Sequence, residues 1–384
     1  MSTEITSEDA LCLNVLLASN VQAIRIDEST MTVHALTDRG EATVALHPDC
    51  RHDQYLRLVR ETLSEHALDS PGGYPVYLRR WSRMGQLRDE TLPQLLLTGE
   101  PEAVIAVVYA AGLTDEIARR AWWIMPTAEI ARRMLEKPAV AEGQMGKVLA
   151  DFLVEHLPFE EDHYAIIETI RFLLHTGLVD DTTRERLWKK GRYKNAYYVG
   201  FLEQSPDRLP GLIPARSDID SINVRLEQLV ANGNTVALQI NRIFSNQGQT
   251  FLSTCEEVLR HPATQDVVNI LLNALGNYFR SGLSITLTDT GNDINICIQK
   301  AEQVCEAAVT ESSCPEVQIR ELLTALPQLQ PEVRAMLVLS TVSSGMAEPI
   351  FARTTAIGTL MRTKLEPVTF PLFEQIAILR GKSA

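Results

Sequence analysis

From about residue 86 onward, the apolar residues of this chain recur at the spacing of an α-helix and almost nowhere at that of a strand. Met145, Val148, Leu149, Phe152, Leu153, His156 and Leu157 fall on one face, because positions three and four apart meet at 3.6 residues per turn. Ile117, Ala118, Ala121, Trp122, Ile124 and Met125 do the same. They follow Thr114, a capping residue, and Asp115 and Glu116, acids suited to a first turn. Ile222, Leu226, Leu229 and Val230 make a third stripe, and Ile294, Cys297, Ile298, Ala301, Val304, Cys305, Ala308 and Val309 a fourth; more follow over 319–326, 333–339 and 350–361. Such faces are buried by packing helix on helix. The expected fold is mainly α, a stack of helical hairpins in a HEAT- or TPR-like α–α superhelix. Residues 104–111, apolar nearly all round, are expected to be buried on every side.

The first 80 residues depart from this pattern. Residues 21–26, 31–36 and 42–46 read as short strands, with Thr37-Asp38-Arg39-Gly40 as a hairpin turn and a covering helix over 53–66. A helix should precede them, capped by Ser7 with Glu8 and Asp9 in its first turn. Asp69-Ser70-Pro71-Gly72-Gly73 breaks the pattern. Three parts are therefore expected: a small N-terminal α+β cap at 1–80, a helical-hairpin domain at 81–210 and a C-terminal helical domain at 211–384. The Pro-rich run 206–214 is the expected linker, and 284–287 the one strand outside the cap. An internal echo joins Gly112 to Trp123 with Gly177 to Trp188: a glycine, a capping residue with acids, an arginine, then a tryptophan, the tryptophans 65 residues apart. Helix pairs of roughly 32 residues would fit that offset.

Hydrophobic residues make up 45% of the chain and charged ones 22%, a globular balance over 384 residues. The net charge of −13 leaves too few cations for a chain-wide polyanion surface. No window of 18 consecutive apolar residues predicts a membrane-spanning helix, and the acidic start does not suit a secretory signal. Six scattered cysteines without a Cys-x-x-Cys make disulfide staples unnecessary, so the cytoplasm is the expected compartment.

No phosphate-binding loop, dinucleotide fingerprint, His-Glu-x-x-His or nucleophile elbow occurs, and no catalytic residue is assigned. His47, Cys50 and His52 resemble half of a zinc site but lack a matching second pair, so a polar turn is expected and no metal or cofactor. Glu160, Glu161, Asp162 and His163 suit a helix start rather than acid–base chemistry, which needs groups set around a pocket. Cys297 and Cys305 read as core. Two basic–aromatic segments stand out in so acidic a chain. One carries Arg79, Arg80, Trp81 and Arg83; the other carries Arg184, Arg186, Trp188, Lys189, Lys190, Arg192 and Lys194. Arginine beside tryptophan suits anchoring an acidic protein partner or stacking on bases, and a solvated basic face with an inward tryptophan is the plainer alternative.

The run Leu92-Pro93-Gln94-Leu95-Leu96-Leu97-Thr98-Gly99-Glu100-Pro101-Glu102-Ala103-Val104-Ile105-Ala106-Val107-Val108-Tyr109 continues through Gly112-Leu113-Thr114-Asp115-Glu116 to Ala121-Trp122-Trp123. With Trp188-Lys189-Lys190-Gly191-Arg192-Tyr193-Lys194, it resembles DsrS, encoded with the dissimilatory sulfite reductase genes of sulfur-oxidising bacteria. The resemblance covers the middle third of the chain and implies an accessory or regulatory protein of sulfur oxidation; it carries over no catalytic residues. The expected function is non-enzymatic and works through protein–protein interaction. The alternatives are an enzyme or small-ligand protein with a pocket between cap and helical body, and a nucleic-acid-binding regulator using the basic segments.

Overall fold

The structure is a computed structural model that describes residues 4–68, 89–175, 177–281, 283, 287, 291–310, 317–353 and 358–382. The fold is mainly α, with one small antiparallel sheet near the N-terminus. It divides into two compact units, Met1–Pro158 and Phe159–Ala384.

In the first unit, α1 (Ser7–Ala18) leads into β1 (Val21–Asp27), β2 (Thr32–Thr37) and β3 (Gly40–Ala45), followed by α2 (His52–Leu68). The sheet order is β1-β2-β3, with Thr37 opposite Gly40 across a two-residue loop where Gly40 takes a φ of 123°. That backbone region suits glycine. Leu13, Ile24, Val33, Tyr55, Val59 and Leu63 form the core between α1, the sheet and α2. The α1 cap is Thr6, one residue before the expected Ser7: Thr6 has extended backbone and its hydroxyl accepts from the Asp9 amide. Beyond α2 come α3 (Pro101–Tyr109), α4 (Asp115–Ile124), α5 (Ala128–Leu135) and α6 (Gln144–His156), joined by shorter helical turns. Pro101 opens α3, where a missing N–H costs nothing, and Thr114 caps α4 by accepting from the Ile117 amide. The segment 104–111 is not buried all round. Val104, Val107 and Val108 face inward, while Ile105 and Tyr109 are 42% and 53% exposed, because α3 is packed on only part of its circumference.

The second unit holds α7 (His163–Leu173), α8 (Asp181–Lys190), α9 (Ala196–Gln204), α10 (Ile219–Ala231), α11 (Thr235–Phe244), α12 (Asn246–Arg260) and α13 (Gln265–Arg280). After these come α14 (Ile294–Thr310), α15 (Val317–Ala325), α16 (Gln330–Ser340) and α17 (Gly358–Leu379). Helix α16 is enclosed by α13, α14 and α17, with Val333 and every residue from Ala335 to Leu339 buried. Each large aliphatic side chain buried this way contributes about 1.5–3 kcal/mol. Helix α9 packs on α7, its near neighbour in sequence, and also on α13, far along the chain.

The segment 206–214 does not separate two bodies. It lies inside the second unit and is tied to it along its length. Asp207 receives both arms of the Arg242 guanidinium at 2.7 Å. The Leu209 amide donates to the Gln247 side chain at 2.8 Å, and the Ile213 amide donates to the Thr250 hydroxyl at 3.1 Å. The expected boundary at 80/81 lies outside the described residues, as do 284–286 of the expected strand; Leu287 is described and is not in a strand. The internal echo holds as local chemistry: Thr114 and Asp180 each cap a ten-residue helix. The glycines differ in role. Gly177 has a φ of 85°, whereas a Cβ on Gly112 would strike the Asp89 carboxylate.

Candidate functional site

The second basic–aromatic segment forms one wall of a cavity of about 730 Å3 in the second unit. Helix α8 starts because the Asp180 carboxylate accepts from the Thr183 amide at 2.7 Å. At helical spacing, Glu185, Lys189 and the following Arg192 then share the cavity side, while Leu187 and Trp188 turn into the core. The opposite wall comes from α12, through Thr250, Ser253, Thr254 and Glu257. Pro210, Gly211 and Ile213 of the 206–214 strap close a third side.

Two aromatic rings make the cavity floor, and each depends on a glycine. Trp188 packs at 4.6 Å from Tyr198 and edge-on at 5.2 Å from Phe201, ring centre to ring centre. Gly191 ends α8 beneath Tyr198, where a Cβ would lie 2.4 Å from the ring. Gly211 sits against the Trp188 indole, where a Cβ would lie 2.9 Å from Nε1; its φ of 69° also suits glycine. It follows Pro210, and the chain bends at the pair. Burial pushes the Tyr198 hydroxyl above its ordinary pKa and Glu257 adds to this, while Arg192 opposes it.

The seven residues of this segment divide by role. Lys189 and Arg192 are exposed and line the cavity, accompanied by Glu185 and Glu257. Trp188 is 9% exposed and belongs to the core, with only an edge in the cavity. Arg184 is occupied: its guanidinium donates to the Arg208 carbonyl at 2.6 Å and lies over the Phe201 ring, bracing the strap. Lys194 donates to the Glu160 carbonyl at 2.7 Å. Arg186 and Lys190 do not line the cavity. Arg79, Arg80, Trp81 and Arg83 lie outside the described residues. Tyr198, just beyond the basic segment, was within sight of the sequence reading; Ser253, Glu257 and the strap were not. Gly191 within the basic run and Gly211 after Pro210 were the available signals.

In the first unit, His47 belongs to a different arrangement. The Asp9 carboxylate, 1% exposed, accepts from the Tyr55 hydroxyl and from the His47 amide at 2.8 Å; its other oxygen meets His47 Nδ1 at 3.0 Å. The Tyr55 hydroxyl in turn accepts from the Thr6 amide at 3.1 Å. Burial pushes the Asp9 pKa up, but the hydrogen bonds from Tyr55 and His47 outweigh it, and the carboxyl sits below its usual range. The hydrogen bond to Asp9 raises His47. Cys50 Sγ is directed to the Arg51 carbonyl, and burial with Asp49 beside it raises the thiol. Among the described residues, no three His, Cys, Asp or Glu side chains converge as a metal shell requires. Asp162 caps α7, accepting from the Tyr164 amide at 3.0 Å. Cys297 and Cys305 are buried. Among the described residues, no helix is long and apolar enough to cross a membrane.

Compared with known proteins, the chain matches no family model, no curated protein and no solved structure.

Proposed function

We propose that the protein is a non-enzymatic accessory or regulatory protein that binds a protein partner at the α8–α12 cavity. Its likeness to DsrS supports placing that partner in bacterial sulfur oxidation. One observation carries the binding reading. Lys189, Arg192, Glu185 and Glu257 line one cavity together with Trp188 and Tyr198; no ion pair among the described residues involves any of the four, and Arg192 hydrogen-bonds to the Tyr198 hydroxyl of the same cavity. Elsewhere, cations are engaged: Arg216 with Glu332, Arg242 with Asp207 and Arg380 with Glu256. A polar rim around a packed aromatic centre is the anatomy of an energetic centre in a protein interface.

The test is a double charge reversal, Lys189→Glu with Arg192→Glu, compared with wild type in partner capture from the native cell. Binding should fall, and the loss should shrink as salt rises. Undiminished capture at low salt would remove the cavity from the interface. A small-ligand reading rests on the same cavity, whose volume lies in the range of about 300–1,000 Å3 typical of ligand sites.

A further inference from the structure

The cavity walls carry charges of both signs, and this narrows what can sit there. Lys189 and Arg192 attract a carboxylate or other anion, but Glu185 and Glu257 line the same space and repel it. A purely basic occupant meets the converse problem. Burial in such a site strengthens both effects, because each charge then faces its neighbours through less water. A group brought in without an opposite charge would leave two wall charges desolvated and unmatched, which specific interfaces avoid. The floor adds a third demand. Trp188 and Tyr198, packed together and closely approached by Gly211 and Gly191, add apolar lining to the same space. The strap wall is pinned by Arg184, Gln247 and Thr250, so the cavity is formed in advance of any occupant and little ordering cost remains at binding.

We infer that the cavity receives an amphoteric segment of the partner chain: an apolar or aromatic side chain over Trp188 and Tyr198, flanked by an acidic residue for Lys189 and Arg192 and a basic residue for Glu185 and Glu257. This rests on the reading of the cavity as a protein-binding site and adds the chemistry of what fills it. It differs from a plain acidic partner, which the basic segment taken alone would select.

The full chain is titrated by isothermal calorimetry and tryptophan fluorescence with capped six-residue peptides. One is built on Glu-Phe-Lys, and the controls on Glu-Phe-Glu, Lys-Phe-Lys and Glu-Gly-Lys; free phenylalanine is the small-molecule arm. A Trp188→Phe variant, which keeps an aromatic floor, assigns the fluorescence change to the cavity. The Glu-Phe-Lys peptide should bind about tenfold more tightly than either single-sign control, the gain expected of two matched exposed charges. Lys189→Glu with Arg192→Glu should turn the preference toward Lys-Phe-Lys. Equal or tighter binding of Glu-Phe-Glu overturns the inference and leaves a simple acidic partner. Free phenylalanine binding as tightly as the peptide overturns it in favour of a small molecule. If no peptide binds and the charge reversal still abolishes partner capture, the amphoteric segment is wrong and the interaction reading stands. If no peptide binds and capture is unchanged, both fall.

Discussion

The Asp9 network and the α8–α12 cavity use similar residues to opposite ends. Each brings acids, bases and a tyrosine together. In the first unit, both Asp9 oxygens accept hydrogen bonds, and the Tyr55 hydroxyl both donates and accepts. The carboxylate joins α1 to the loop after β3 and to α2. At the cavity of the second unit, Glu185, Lys189, Arg192 and Glu257 make no ion pair with one another among the described residues, and Arg192 hydrogen-bonds only as far as the Tyr198 hydroxyl beside it. A buried charge must be satisfied internally because its desolvation is costly. An exposed charge at a cavity mouth carries no such cost and stays available. Completeness of partners therefore separates a structural polar cluster from one suited to binding better than residue type does.

The comparison can be broken at four points. The largest effect is expected at Trp188, which lies in the core behind the cavity. Trp188→Ala should cost about 3–5 kcal/mol, seen as a lower denaturation midpoint; a variant as stable as wild type would mean that the ring is not structural. Asp9→Asn comes next. It keeps the shape but puts an NH2 group where an oxygen accepts, and should cost about 1–3 kcal/mol. A neutral result in a urea titration would show that the network is dispensable. Lys189→Glu with Arg192→Glu comes third. Its stability change should stay within about 0.5 kcal/mol, with the effect confined to binding, because exposed charges contribute little to folding. A large loss of stability would turn the cavity charges into structural ones and erase the contrast.

The smallest effect is in pH. His47 is raised by Asp9, so its contribution is complete below its ordinary value of 6.5 and fades as pH climbs through the folded value. Asp9 is lowered, so its contribution is complete above its ordinary value of 3.8 and is lost as pH falls through the folded value. The network should be strongest between about pH 4 and 6.5. Hydrogen-exchange protection of the α1 amides should decline gently above that window in wild type. The decline is gentle because the imidazole is 64% exposed and water screens its charge, and it should vanish in His47→Gln, whose amide does not titrate. An identical decline in both proteins would remove His47 from the network.

Much of the first unit was legible because its signals are local. The strand periodicity, the Thr37–Gly40 turn and the covering helix depend on residues close in sequence, and they appear as β1–β3 and α2. The capping chemistry of Thr114 was equally readable. The misplaced α1 cap shows the limit: Thr6 and Ser7 are both capable, and Thr6 also meets Tyr55, 49 residues away. The strap shows it again. Pro206, Pro210 and Pro214 exclude helix, and an unpaired non-helical run reads as a linker. Its partners Gln247 and Thr250 lie on a helix some 40 residues on.

By itself, then, the sequence determined the class of the fold and the order of its elements, since periodicity, caps and turns act within a few residues. It also marked the segment from Arg184 to Lys194 as unusual. Tertiary structure decided which of those charges were already in use. Arg184 and Lys194 meet carbonyls of Arg208 and Glu160, whereas Lys189 and Arg192, the latter with a hydrogen bond to the Tyr198 hydroxyl, line a cavity whose far wall belongs to α12. Whether a charge is matched depends on atoms within about 4 Å in space, and folding brings those atoms from distant parts of the chain.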